Sequence, residues 1–310
     1  MPILKPSLKP QKIINTMTKD RLIGNIMGSI AYLMWGFLPL YWKMIVQVSA
    51  IEILTHRIIW SLGFIIIILA LKKDWKWFNI ILSKPRFWLL YIASALLVST
   101  NWFTYIWAVN NEHTVDASLG YFINPLFSVF LGVVFLHEKL NRPEKIAVAL
   151  ALLGVIFLTV YYRNLPWVAI VLAITFGLYG IIKKQGPLDG IQSLGLETAI
   201  IFLPTLYYLI HLENSSQASF LHCSLSTNIL LIASGVITAT PLLLFGQAAR
   251  KIPLSTLGFL QYLAPTFQFL LGVFIFREQF QLPKLIGFSI IWTALIIFSI
   301  ARFSRHSKIS

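Results

Sequence analysis

Glu52, His56 and Arg57 place three ionisable side chains within one short, otherwise apolar stretch. Glu52 and His56 are four positions apart, so on a helix they share a face and can exchange a hydrogen bond. Imidazole titrates near pH ~6.5, which makes this pair the candidate for proton coupling. Arg57 in hydrocarbon costs at least ~2.5–3.5 kcal/mol. Two arrangements offset that cost: an arginine that snorkels to the surface beside a salt-bridged Glu52, or one that serves an outer gate or meets an anionic group. Aligning Trp35-Gly36 with Phe176-Gly177 sets Lys43 opposite Lys184, and Glu52 then has a weaker counterpart in Glu197. This pattern fits two ionic latches, Lys43 with Glu52 and Lys184 with Glu197, one at each mouth. Ordinary interfacial charges fit it as well.

Polar groups that do not titrate also interrupt the apolar runs. Asn101 and Trp102 precede Trp107, Asn110 and Asn111. A buried amide needs a partner, and both an interhelical hydrogen bond and a polar solute supply one. Trp35 and Gly36 come just before Pro39, with Tyr41, Trp42 and Lys43 beyond it. An interior proline frees a backbone carbonyl, which lipid tolerates only where a neighbour or a cavity satisfies it. Trp35 suits either cavity lining or packing, whereas Trp42 suits an interfacial aromatic belt. Gly120, Tyr121, Asn124 and Pro125 form one break, and Gly258, Gln261, Tyr262 and Pro265 form another. Their small residues, amides and prolines mark them as the candidate substrate site.

These two breaks belong to a repeat. Pro125/Pro265, Phe127/Phe267, Gly132/Gly272, Glu138/Glu278 and Pro143/Pro283 are each 140 positions apart. That period is too long for a solenoid and matches half of the chain. The elements that carry it are membrane helices: the 310 residues are 57% hydrophobic and 12% charged, about half the charged share of a soluble domain. Runs of about 20 apolar residues, enough to cross a bilayer, occur near 22–45, 50–71, 86–108, 116–136, 144–161, 165–182, 191–212, 227–249, 254–276 and 283–302. If these ten runs are membrane passes, 20 of the 25 Lys and Arg residues fall on one side, four on the other (Lys43, Arg163, Arg277, Lys284), and Arg57 lies within a span. Basic loops stay cytoplasmic, so both termini are expected there, and the net charge of +14 needs no nucleic acid to explain it. Five spans per half is an odd number, so the second half enters the membrane inverted. Inverted repeats place a site near the midplane where the halves meet and suit alternating access.

Several functions are disfavoured. One cysteine, Cys223, provides no internal disulfide and no cysteine-based metal cluster. No phosphate-binding loop, metalloprotease signature or nucleophile elbow occurs, so neither an enzyme nor a bound cofactor is expected. The segments AYLMWGFLPLYWK, EILTHRIIWS, NWFTYIWAVNN, ASLGYFINPL and STLGFLQYLAPT resemble the RarD-type branch of the EamA transporters, in the drug/metabolite transporter superfamily. The resemblance runs from about Gly24 to about Ala301. It implies a ten-helix bundle whose cavity is lined by the first four helices of each half, with the fifth and tenth packed outside. Chloramphenicol-sensitivity and permease labels are common in that branch.

The expectation is therefore an all-α polytopic membrane protein of ten transmembrane helices in two inverted five-helix repeats, 22–162 and 163–302. A basic disordered tail, 1–21, precedes them and a short tail, 303–310, follows. The expected activity is gradient-driven transport of small metabolites or hydrophobic drugs such as amphenicols across the bacterial inner membrane. An importer of the same fold, or a membrane scaffold or sensor, is the alternative. Its partners are a small-molecule substrate and the lipid bilayer, and no interface motif decides whether it forms a homodimer.

Overall fold

Without water, every backbone N–H and C=O in a bilayer must be satisfied within the protein, and a helix does this within one segment. The computed structural model describes residues 10–73, 75, 77–82, 84–110, 114–162, 167–277 and 282–307, and its regular elements are all helical. They are α1 (Pro10–Lys43), α2 (Ala50–Lys72), α3 (Trp77–Leu82), α4 (Pro85–Asn110), α5 (Thr114–Val134) and α6 (Arg142–Tyr162). There follow α7 (Trp167–Gln185), α8 (Gly190–Asn214), α9 (Leu225–Lys251), α10 (Leu254–Gln261), α11 (Leu263–Leu270) with a π turn at Leu271–Ile275, and α12 (Leu282–Ser307). Among the described residues, eight stretches are long and apolar enough to cross a membrane, counting Leu254–Ile275 as one. Two shorter apolar helices, Gly120–Val134 and Leu285–Ala301, accompany them.

Helix α1 begins at Pro10, within the stretch expected to be a disordered tail. Proline has no N–H to lose in a first turn, and the Lys, Gln, Ile and Met that follow are acceptable helix residues. Glu278, Arg163 and Asn111 lie outside the described residues. Elsewhere the termini are capped as their sequences dictate. Ser49 accepts from the Glu52 N–H, Asp189 and Gln192 form a reciprocal capping box, and Asn141 and Glu144 form another.

Large apolar side chains cover the outside of the bundle; Val46, Leu71 and Phe274 are each more than 70% exposed, as lipid-facing residues are. Lipid supplies little apolar driving force between helices, so close packing and polar ties hold them together. At Gly235 a Cβ would come within 2.3 Å of the Trp60 backbone, so α9 meets α2 there nearly backbone to backbone. At Gly258 it would come within 2.7 Å of the Pro125 carbonyl, where α10 crosses α5. Helices α6 and α12 pair through Gly154 and Gly287. Two ends of the bundle can be named by their residues. At the Asp20 end, Lys251 pairs with Asp20 at 2.7 Å, and Glu138 accepts the Leu254 and Ser255 N–H groups at 2.6 and 2.9 Å. At the Lys43 end, Gln47 bonds Thr227 at 2.9 Å, and Glu52 accepts from the Ser219 and Phe220 N–H groups at 2.7 and 2.9 Å.

Candidate functional site

Each of the three prolines expected to break helices stands four residues after a residue that lines one cavity. Proline removes the N–H that would bond the carbonyl four residues earlier, which frees the carbonyls of Trp35, Tyr121 and Gln261, below Pro39, Pro125 and Pro265 respectively. Trp35, Tyr121 and Gln261 all line a cavity of about 120 Å³. The Trp35 carbonyl is taken up by Gln268 Nε2 at 3.2 Å. At Gln261 the helix is interrupted, and α10 gives way to α11 after the turn at Tyr262. Pro125 leaves α5 continuous.

Eight of the helices contribute to the wall. Helix α1 supplies Trp35, Pro39 and Trp42, α2 supplies Arg57, and α4 supplies Asn101, Trp102 and Tyr105. Gly120, Tyr121 and Asn124 come from α5, Leu172 and Phe176 from α7, Thr238 and Leu242 from α9, and Gln261, Ala264 and Gln268 from α10 and α11, two segments of one span joined at Tyr262. Trp35 and Phe176, counterparts in the repeat, meet edge to face at 5.8 Å. Helix α8 contributes nothing to this wall, unlike the arrangement the resemblance implies, because its inward face is occupied by the Glu197 network described below.

Arg57 sits in this wall as a cation with no carboxylate partner among the described residues. Its Nε donates to Thr238 Oγ1 at 2.9 Å, and the guanidinium lies 4.9 Å from the Trp42 ring and 5.2 Å from the Trp102 ring. Each ring contributes ~0.5–2 kcal/mol, which covers only part of the cost of a charge at depth. Of the two arrangements open to Arg57, the one with a salt-bridged Glu52 is not the one seen: Glu52 is fully buried and one oxygen is committed to the loop at Ser219 and Phe220. Trp42 likewise leaves the interfacial role expected of it and faces the cavity. His56 does lie on the Glu52 face but does not bond it. Its Nδ1 accepts from Trp60 Nε1 at 3.1 Å, its ring packs on Phe220, and His56 Nε2 and Glu52 Oε2 are buried without partners.

The amides divide into two kinds. Asn101 Nδ2 donates to the Leu172 carbonyl and to Thr175 Oγ1, both at 2.9 Å, so it ties α4 to α7 while lining the cavity. Asn124 Oδ1 and Gln261 Oε1 are buried with no partner, and buried acceptors of this kind call for a ligand or water. Tyr262 turns out of the cavity. Successive helical residues point about 100° apart, and its hydroxyl donates to the Phe122 carbonyl at 3.2 Å within the α6–α12 core.

Neither expected latch is formed. Lys43 Nζ lies 3.7 Å from the centre of the Phe276 ring. Lys184 donates to the Ala249 and Ile252 carbonyls at 3.1 and 2.6 Å, near the end of α9. It is Lys183 that binds Glu197, at 2.8 Å, with both side chains buried. Lys183 and Tyr179 are one turn apart on the α7 face toward α8, so they reach Glu197 together. The Glu197 carboxylate also accepts from Ser94 at 2.6 Å, Ser193 at 2.9 Å and Tyr179 at 3.1 Å. This network, joined to the rings of Tyr32, Phe176, Tyr179 and Phe245, fills the bundle between the cavity and the Asp20 end.

Tyr105, Thr238 and Gln268 were not anticipated from sequence. Gln268 carried a signal, since it follows Gln261 by seven residues and so shares its helical face.

Comparison with known proteins places this geometry. Residues 22–160 match the EamA-like transporter family. Protein RarD of Streptomyces exfoliatus is 45% identical over 93% of this chain and 92% of its own length. The uncharacterized transporter YojE of Bacillus subtilis is 43% identical over 92% of this chain and 97% of its own. One solved crystal structure superposes with a TM-score of 0.69 over 90% of this chain and 98% of that one, at 17% identity, and so shares the fold. A lipid-facing helical bundle with a central cavity and full-length relatives of this kind lead to one conclusion: the chain belongs to the EamA-like transporter family, in its RarD group, and is a multi-pass membrane transporter.

Proposed function

We propose that this protein is a secondary transporter of small organic solutes, working by alternating access at the cavity around Trp35, Tyr121, Asn124 and Gln261. The observation that carries this reading is the asymmetry of the bundle: a mainly aromatic cavity with a few polar groups, on the Lys43 side of a solid aromatic and ionic plug. A plug on one side of a site is what one of two alternating states requires. Helix pairing supports two inverted five-helix repeats, since α2 meets α8, α5 meets α10 and α6 meets α12, as a two-fold exchange of halves demands. The basic loops favour the Asp20 end as cytoplasmic, in a bacterial inner (plasma) membrane. Glu197 and Glu52, each bridging the two halves at opposite ends, are then the gate residues in place of the expected lysine latches.

Flux into proteoliposomes of the purified full-length protein tests this. A panel of amino acids, nucleosides and amphenicols, the last implied by the resemblance, is expected to contain a solute with saturable, gradient-dependent uptake. Gly258→Leu, which fills the crossing of α5 and α10, is expected to abolish that uptake. Folded protein that moves none of these solutes, in either direction, would favour a scaffold.

A further inference from the structure

We propose that, if the cavity is the transport site as argued above, its solute is an organic anion: a carboxylate held by Arg57, carried on a small planar or apolar body. Arg57 is the single Lys, Arg, Asp, Glu or His in the described cavity wall. Its Nε is fixed by Thr238, and among the described residues its terminal nitrogens have no hydrogen-bond acceptor. The carboxylate nearest in sequence, Glu52, is occupied by the Ser219–Phe220 backbone. What remains is a guanidinium fork in the cavity wall, 4.9 and 5.2 Å from the Trp42 and Trp102 rings, with paired donors for a solute. Paired donors in a plane match the two oxygens of a carboxylate.

The rest of the wall completes the recognition. Trp35, Trp102, Tyr105, Tyr121 and Phe176 offer aromatic faces to a ring. The unpartnered oxygens of Asn124 and Gln261 accept an N–H or O–H from the same solute. A cationic solute is repelled by Arg57, and an uncharged one leaves the guanidinium without a counter-ion. This ranks organic anions ahead of uncharged amphenicols.

Benzoate, benzamide and benzylamine share one ring and differ in charge, so they separate the charge requirement from the aromatic fit. The background is full-length protein with Cys223→Ser and Ala264→Cys, which puts a thiol in the cavity wall, and the readout is slowing of N-ethylmaleimide labelling. Benzoate is expected to protect at a concentration at least about tenfold below that of benzamide, and benzylamine to protect least. Arg57→Gln is expected to erase the benzoate preference while benzamide protection persists, and Arg57→Lys to retain part of it. Equal protection by benzamide or benzylamine in the parent, or a benzoate preference that survives Arg57→Gln, overturns the anion assignment and leaves the cavity standing. If none of the three slows labelling of a reactive thiol, both the assignment and the cavity reading fail. Should Arg57→Gln not fold, the benzoate-to-benzamide ratio in the parent decides alone.

Discussion

Glu197→Gln isolates the charge proposed to hold the Asp20 end closed. The substitution keeps the side chain's shape and one acceptor for Ser94 or Ser193, but leaves the Lys183 ammonium buried without a counter-ion. Breaking a buried pair by removing one partner costs about 3–5 kcal/mol. An open Asp20 end would admit water to Lys183 and escape most of that cost. Taking ~3 kcal/mol as the difference between states, the equilibrium moves toward opening by roughly 150-fold. Ala249, fully buried beside the Lys184 tie, reports this when replaced by cysteine in a Cys223→Ser background. The rate of labelling by a membrane-impermeant maleimide from the Asp20 side is expected to rise by about two orders of magnitude in Glu197→Gln. Lys183→Met combined with Glu197→Leu removes both charges and is expected to restore slow labelling, since apolar replacements of buried pairs are often neutral or stabilising. If Glu197→Gln labels no faster than its parent and melts at the same temperature, the ion pair does not hold the closed state.

Glu52→Gln loses two charge-assisted bonds to the 219–220 loop, so native Cys223, whose N–H bonds the Ser219 carbonyl, is expected to react about tenfold faster with maleimide. Gln268→Leu strands the Trp35 carbonyl and is expected to destabilise the protein by about 1 kcal/mol in thermal melting. Pro39→Ala restores an N–H to that carbonyl, so the double variant is expected to recover most of the loss. Gly235→Ala forces a Cβ onto the Trp60 backbone and is expected to lower yield of folded protein sharply, whereas Gly63→Ala meets nothing within 4 Å and is expected to be neutral or stabilising by up to ~1 kcal/mol in thermal melting.

The residues around the candidate cavity were legible in the sequence as interruptions. Pro39, Pro125 and Pro265 stand out in greasy helices, and each frees a carbonyl that belongs to a cavity residue. Arg57 stood out for the same reason, a charge where lipid tolerates few. Partners were less legible. Lys183 and Lys184 are adjacent and chemically alike, and which one faces α8 depends on a rotation of α7 set by packing around Tyr179 and Phe245. Glu52 was matched to charged side chains, but its partners are backbone N–H groups in a loop that sequence leaves unremarkable. Tyr262 shared the repeated segment with Gln261, yet a single residue's turn of about 100° carries it away from the cavity to the Phe122 carbonyl.

Two-sided labelling of a cysteine at Gln261, in a Cys223→Ser background and sealed vesicles of known orientation, tests alternating access at the cavity most directly. The parent is expected to label from the Lys43 side and not from the Asp20 side. With Glu197→Gln added, labelling is expected to shift to the Asp20 side as labelling from the Lys43 side falls. Labelling from both sides together in one state, or from neither in both proteins, would contradict a cavity that opens to one side at a time.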